Sequence, residues 1–406
     1  MPCLIRLAVI AIGHPVLPAF PEMSAASERW AILMGTSAAR LQAVAKPGPL
    51  NGSKSVSAKF QIINPIEDAR WSDFVDRHPN SSVFHSRQWL EALRRTYKYR
   101  PIVFTTAEPG QELKNGAVFC VVRSWLVYPR LVSLPFSDHA EPLTEDKGQL
   151  LELLDLLKAQ QKQKKWTSVE LRQPTGEQGP LSDWPGFHEE RNYYLHSLDL
   201  RPEISKLFEG LHKGSIRRKV QRARREGLQY EEGTSREQLR EFFRLTQLTR
   251  RRHGLPPAPL AWYRNVLDCF GDKAKIRLVK KDGSAIAAIF TLLHKDTLVY
   301  KYGCSDARFH NLGGMPFLLW KAIVDGKAQG AQIFDLGRSD RENAGLVTFK
   351  DRLGAARSAI SLQKYPGSAS KSGSGGWSSK MAQGVFRRLP EPLLTLAGRL
   401  LYPHIG

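Results

Sequence analysis

The chain has 406 residues, enough for two domains with their own cores. Its 42% hydrophobic and 24% charged residues are globular proportions, and no run of about eighteen apolar residues is present to span a bilayer. The formal net charge of +21 favours anionic partners: nucleic acid, a membrane surface or phosphate-bearing small molecules. Four cysteines (Cys3, Cys120, Cys269, Cys304) lie far apart with no C-x-x-C spacing. That pattern signals neither a zinc site nor a disulfide framework, so we expect no metal, and reduced thiols in a cytoplasmic protein.

Residues 4–12 are apolar but short, are interrupted by Arg6 and are followed by His14-Pro15, a poor secretory signal. We expect 1–57 to be a disordered or targeting extension, or translation to start at Met23 or Met34. Asn64-Pro65 reads as an N-cap and a first helical residue, and Ser86 as the cap of a second helix carrying Trp89, Leu90 and Leu93 inward. Residues 101–106, 117–123 and 130–134 read as strands, 150–165 as a leucine-faced helix, and 168–173 and 193–200 as further strands. The loop Pro135-Phe136-Ser137-Asp138-His139 follows a strand; it either lines a cleft or is a turn in which Asp138 caps amides.

The most basic stretch is 213–225. Ile216, Val220 and Ala223 form one helical stripe, while Arg218, Arg222 and Arg225 form a ridge of cations, with Ser215 as cap and Gly227 as stop. Such a ridge, with Arg217 beside it, either meets an anion such as a phosphate or RNA backbone, or is a solvated face met by Glu231 and Glu232. Ser235 to Gln238 is a capping box opening a helix whose Arg250–His253 end suits the helix dipole. A further helix follows over 258–270, then strands over 275–280 and 286–293 joined at Asp282-Gly283, and a third strand over 297–302. Alternation with Lys301 puts Tyr300 and Tyr302 on one side, where Tyr302 either hydrogen-bonds a substrate or lies on the sheet surface. The segment Arg308 to Gly314 is a glycine-containing loop before a helix N-terminus, able to hold a phosphate or simply to start the helix.

Residues 332–336 form an apolar strand that Gly337 breaks, with Arg338-Ser339-Asp340 as a polar turn and a helix over 343–353. This places Arg338 and Lys350 at one strand end, where α/β folds bind ligands. The two cations suit a phosphate; alternatively they pair with Asp335, Asp340 or Glu342. Residues 366–380 read as a Ser/Gly linker, and the leucine-rich tail with Arg387, Arg388 and Arg399 either docks on the domain, which we expect, or lies on an anionic membrane surface, giving peripheral contact at its inner face.

The segment 281–355 resembles the second half of the FemAB-like, GNAT-related acyltransferases, which include peptidoglycan bridge ligases and acetyltransferases of exopolysaccharide clusters. The resemblance is carried by Asp282-Gly283, Ala285 to Phe290, Tyr300 to Ser305, Phe334 to Ser339, and Gly345 through Phe349-Lys350 to Ala355; weaker similarity reaches back to Phe84-His85 and Pro135 to His139. It implies an α/β protein of two GNAT-like lobes, 58–200 and 201–365, each a mixed sheet flanked by helices, with a cleft between them and a linker and basic tail over 366–406. By the same resemblance Arg308, Gly313 and Gly314 form a pyrophosphate loop, with Asn311 where the family has its first glycine. The basic helix with Arg217 and Arg218 helps bind substrate, and Lys350 contacts a substrate phosphate or carboxylate. Where bridge ligases carry a long coiled-coil arm, this chain has a short helix pair.

The resulting expectation is transfer of an acetyl or aminoacyl group from acyl-CoA or aminoacyl-tRNA to an amine or hydroxyl. The acceptor would be a phosphate-bearing envelope saccharide, nucleotide sugar or peptidoglycan precursor, with no tightly bound cofactor and acyl-CoA only as co-substrate. No Ser-His-Asp or Cys-His pattern implies an acyl-enzyme. Asp138, His139 and Asp335 are candidate bases; Tyr302 and Arg338 are candidate substrate contacts; Lys350→Ala should abolish transfer without unfolding the chain. The alternative is a non-catalytic basic protein that binds nucleic acid or assists exopolysaccharide assembly.

Overall fold

The computed structural model describes residues 61–123, 129–163, 166–174, 186–366 and 375–405. The expected extension at 1–57 and residues 367–374 of the expected linker lie outside them. The first half runs β1 (Gln61–Ile63), α1 (Ala69–Arg77), α2 (Arg87–Tyr97), β2 (Arg100–Thr105), β3 (Ala117–Val122), β4 (Arg130–Val132), α3 (Lys147–Lys162), β5 (Val169–Pro174) and β6 (His188–Asp199). Helix α4 (Ile204–Gly210), a single π-turn (Lys213–Arg217) and α5 (Arg218–Arg225) lead onward. The second half runs β7 (Gln229–Gly233), α6 (Arg236–His253), α7 (Leu260–Phe270), β8 (Ala274–Lys281), β9 (Ser284–His294), β10 (Thr297–Ser305), α8 (Gly314–Ala328), β11 (Ile333–Asp340), α9 (Ala344–Asp351) and β12 (Ala356–Tyr365). Helices α10 (Gly375–Arg388) and α11 (Glu391–Ile405) follow, so residues 375–380 are helical rather than linker.

The two halves repeat one order, a strand, two helices, three strands, a helix and two strands, with α9 inserted between the last two strands of the second half. Their pairing repeats too. β1 to β4 are successively antiparallel and β4 pairs β5 in parallel; β7 to β10 are successively antiparallel and β10 pairs β11 in parallel. The closing strands are exchanged. β6 leaves the first half to pair β11, and β12 leaves the second half to pair β5, while β6 and β12 pair each other. The result is one twelve-stranded sheet in the order β1-β2-β3-β4-β5-β12-β6-β11-β10-β9-β8-β7.

On one face a single core joins the helix pairs of both halves: α1 and α2 through Trp71, Phe74, Trp89 and Leu93, α6 and α7 through Phe242, Trp262 and Tyr263. The equivalent helices α2 and α7 meet edge to face at Trp89 and Trp262, 5.1 Å apart, and Asn265 Nδ2 donates to Thr96 Oγ1 at 2.8 Å. On the other face the core is divided, with α3 covering one cluster and α4, α5 and α8 another.

Several local signals act as expected. Ser86 accepts from the Trp89 amide, and Ser235 and Gln238 form their capping box. Others are displaced by a better acceptor. Asn64 closes a turn on Ile66, and Asp68 caps α1. His212, rather than Ser215, receives the Ser215 amide and starts the basic segment. The strand at 333 does not stop at Gly337 but runs to Asp340 through a bulge between Asp335 and Arg338. A second bulge between Tyr300 and Tyr302 inserts Lys301 as an extra residue. Tyr300 therefore packs into the α8 core and Tyr302 into the opposite one, instead of sharing a side.

Candidate active site

Strands β10 and β11 pair only where Thr297 to Val299 meet Ile333 to Asp335. Beyond those residues β10 follows β9 while β11 follows β6, so the two parallel strands part toward their C-terminal ends. That gap is where open α/β sheets place ligands. Gly337 turns β11 away with φ 70°, and its amide donates to Asp335 Oδ1 at 2.7 Å.

The first half fills this gap from one face with the loop after β4. Leu134 and Phe136 hold left-handed conformations (φ 58° and 61°), and Arg172 Nη1 fixes the turn by donating to the carbonyls of Leu134 (2.6 Å) and Ser137 (3.2 Å). The loop tip presents Asp138. Its carboxylate accepts from Lys301 Nζ at 2.7 Å and lies 3.8 Å from Arg338 Nε. The Lys301 ammonium also lies over the rings of Phe84, Tyr302 and Trp89, at 4.9, 5.5 and 5.6 Å. Burial pushes the Asp138 pKa up and that of Lys301 down; for Asp138 the two cations prevail and hold it below the ordinary carboxylate value, while for Lys301 burial prevails. Arg338 stays 30% exposed and stacks over Tyr193 at 4.8 Å.

His139 Nε2 lies 3.4 Å from Asp335 Oδ2 and Nδ1 lies 3.2 Å from Glu141 Oε2. Burial alone would lower its pKa, but the two carboxylates raise it to about 10. His139 is thus an imidazolium at neutral pH, a fixed positive charge rather than a proton acceptor. Asp335 is engaged by His139 and by the Gly337 amide. Five cations (Lys301, Arg338, Arg172, His139, Lys350) stand against three carboxylates (Asp138, Asp335, Glu141) in this cluster, an excess that suits an anion.

Lys350 enters from the opposite face on α9. It is 3% exposed, and Nζ donates to the carbonyls of Gly337 (2.9 Å) and Arg338 (3.0 Å). Burial lowers its pKa to about 8. The structure therefore brings Arg338 and Lys350 together as the sequence suggested, but through the backbone of the β11 bulge. Tyr302 is half-buried, and its hydroxyl accepts from Trp262 Nε1 at 2.7 Å.

On that same face a groove of about 290 Å³ lies at the start of α8, lined by Lys219, Ser305, His310, Gly314, Met315 and Phe349. A second, of about 440 Å³, continues past the same Lys219 and Phe349 to Ser215, Gly345 and Arg352. Gly313 (φ 81°) caps α8 without a side chain, and a Cβ there would sit 2.4 Å from the Lys219 carbonyl, so only glycine allows α5 this close. Arg308 pairs at 2.6 Å with Asp306, which lines this groove. In the basic segment Arg217 is half-buried, and its Nε has no hydrogen-bond partner among the described residues; Arg218, Arg224 and Arg225 are exposed. Arg222 pairs with Glu226, whereas Glu231 and Glu232 turn to Lys280, Lys275 and Arg277, so Arg218, Arg224 and Arg225 have no ion pair among the described residues.

Sequence reasoning passed over Lys301, Lys219, Phe349 and Arg172. Lys301 had a usable signal: a lone cation inside the apolar strand Thr297–Ser305 must find a buried carboxylate. Lys219 lay inside the basic stretch 213–225 without being singled out, and Arg172 had no signal, because its partners are backbone atoms brought up by tertiary packing.

Two outcomes follow from these contacts. A group whose folded pKa is raised stabilises the fold fully below its unfolded value and loses that contribution as pH rises through the folded value. For His139 this window runs from 6.5 to about 10, so its own contribution to stability should fall by about 1 kcal/mol per pH unit between pH 6.5 and 8. His85, His196 and His294, lowered to about 4, and Lys350, lowered to about 8, act oppositely as pH rises through this range, so the slope is read as the difference between wild type and a His139 variant, in which they cancel. Urea unfolding should give a stability difference between wild type and His139→Gln that shrinks by this slope as pH rises; parallel profiles would refute the pairing. Lys350→Ala leaves the buried Gly337 carbonyl and the partly buried Arg338 carbonyl without their donor, so it should cost about 1–3 kcal/mol of stability, unlike the purely chemical change expected from sequence. An unchanged urea midpoint would show that the staple carries no load.

Residues 212–350, from the cap of the π-turn to the staple lysine, match the acetyltransferase (GNAT) domain family. The solved structure of FemX is 16% identical, with a TM-score of 0.59, over 75% of this chain and 96% of that one. The structure of L-PGS from Bacillus licheniformis is 18% identical, with a TM-score of 0.50, over 72% and 91%. No curated protein matches the sequence. In fold the chain is FemAB-like and GNAT-related, and its residues 212–350 match the acetyltransferase (GNAT) domain family.

Proposed function

We propose that the chain transfers an acyl group from an activated donor, lying in the groove at the start of α8, to an amine or hydroxyl presented beside Asp138 and Arg338. The observation that carries this reading is the parting of β10 and β11 inside the matched domain, with a groove on one face and a charged cluster on the other. The first-turn amides of α8 and Lys219 suit a phosphate of the donor, as a helix N-terminus does. Gly313 and Gly314 take this role; Arg308, committed to Asp306, contributes at the rim.

The acceptor nucleophile forms its bond to the donor carbonyl carbon, the bond to the carrier breaks, and the departing carrier atom takes up the proton the nucleophile releases. Asp138 is the carboxylate closest to the exposed edge at Arg338, but its bound cations make it a weak base. Orientation of two bound reactants therefore supplies most of the rate. Arg338 and Lys301 offer positive charge to the carbonyl oxygen as it becomes negative. Lys350 acts as a positioning residue that fixes the bulge carrying Arg338, and Asp335 with His139 holds the loop that carries Asp138. Tyr302, bound to Trp262, supports Lys301. Arg217 and Arg218 extend the cationic surface toward the donor groove.

The cation excess favours a phosphate-bearing acceptor, such as an envelope precursor or nucleotide sugar. The exposed Arg218, Arg224 and Arg225 of α5 favour a second reading in which the donor is aminoacyl-tRNA. A thermal melt separates the two. Acetyl-coenzyme A at a hundredfold over its Kd should stabilise wild type by about 2.7 kcal/mol and leave Gly313→Ala unshifted. A shift with aminoacyl-tRNA alone would transfer the donor role to tRNA. No shift with acetyl-coenzyme A, aminoacyl-tRNA or a UDP-linked muramyl peptide would overturn acyl transfer in favour of a binding protein.

A further inference from the structure

We propose that the outer face of the α10–α11 hairpin is a docking surface for an anionic lipid membrane. The inner face is fully committed to the protein. Phe386, Leu394 and Leu401 form the hairpin's own core, and Tyr402 packs 5.5 Å from Phe136. Tyr99 donates to the Pro403 carbonyl at 3.0 Å, and Gln247 Nε2 donates to Thr395 Oγ1 at 2.9 Å. Tail docking, expected from the sequence, therefore holds, and it fixes the direction of what is left over.

What is left over is apolar and cationic. Leu393, Leu396 and Leu400 are 51%, 39% and 43% exposed, at spacings that align them along one stripe of α11. Val385 on α10 adds a fourth, so four of the seven exposed large hydrophobic residues among the described residues sit on this hairpin. Arg387, Arg388 and Arg399 are exposed around the stripe and have no ion-pair partner among the described residues; Glu391 is the one acidic residue among the described residues of the hairpin. Behind Arg387 a groove of about 410 Å³ is lined by Leu248, Arg251, Arg252 and Asp306, wide enough for a phosphate headgroup. Asp306 also lines the groove at the start of α8, so the two openings adjoin.

A lipid surface is the occupant these features fit. Four partly exposed side chains offer far less than the about 800 Å² per partner that a stable protein complex buries, which argues against a second copy or a protein partner. Apolar side chains ringed by arginines instead match the boundary between acyl chains and anionic headgroups. No helix among the described residues is long and apolar enough to cross a membrane, so the contact is peripheral.

Sedimentation of the full chain with vesicles tests this. Vesicles of phosphatidylcholine mixed with phosphatidylglycerol should retain wild type about tenfold better than phosphatidylcholine alone, and added salt should weaken that retention. The variant Leu393→Ser/Leu396→Ser/Leu400→Ser and the variant Arg387→Gln/Arg388→Gln/Arg399→Gln should each lose about tenfold. Leu151→Ser, on the exposed face of α3, should lose nothing, and all three should keep the wild-type melting temperature. Equal retention of wild type and the leucine variant would assign binding to net charge alone and overturn the proposal. Absence of wild-type binding would overturn it too, as would a wild-type dimer in solution that the leucine variant dissolves.

Discussion

The Asp138 carboxylate, carried by one half of the chain and gripped by Lys301 and Arg338 of the other, is the contact on which the site depends. It is costly to build. Asp138 and Lys301 are both withdrawn from water, and removing either would strand the other's charge. The surrounding structure offsets this cost locally. Arg172 holds the loop carbonyls, three aromatic rings face the Lys301 ammonium, and the bulge at Tyr300–Tyr302 provides the extra residue that lets a lysine reach across. A regular strand would have placed Lys301 elsewhere.

The exchanged strands β6 and β12 make that contact possible. Because each half completes the sheet of the other, the halves cannot separate without breaking backbone ladders, so a small charged pin can rely on a rigid frame. The two halves use the same place in their topology differently. After β4 the chain carries Ser137-Asp138, which reaches across to the partner half; after β10 it carries Ser305-Asp306, which turns back to cap its own loop and bind Arg308. One half thus supplies a pin and the other a helix start beside a groove. On the proposed reading, acceptor and donor approach from opposite faces of the gap.

Much of this was legible in the sequence, for identifiable reasons. Caps and helix faces depend on neighbours within four residues, so Ser86 and Ser235 could be read directly. The resemblance around Phe334 to Ser339 and Phe349-Lys350 located the bulge and its staple without showing that Lys350 is buried against backbone. What was missed depends on distant partners. The short strand β7 and helix α4 carry weak local patterns and owe their form to β8 and α8. The strand exchange leaves no local trace, because β6 and β12 would look the same in any antiparallel pairing. Period-two reading of Tyr300 and Tyr302 failed because a bulge breaks the alternation on which it relies. Gly337 reads as a strand end but serves as a bend, since its amide finds Asp335 and its neighbours keep their pairing with β6.

The most direct measurement is a double-mutant cycle on urea-unfolding free energy with Asp138→Asn, Lys301→Met and the pair together. If the two halves are joined by this buried ion pair, each single change should cost about 3–5 kcal/mol, and the double should cost less than their sum by more than about 1 kcal/mol. Costs that add to within about 0.5 kcal/mol would contradict the account, because the carboxylate and the ammonium would then act independently and the charged cluster would not be the joint that shapes the site.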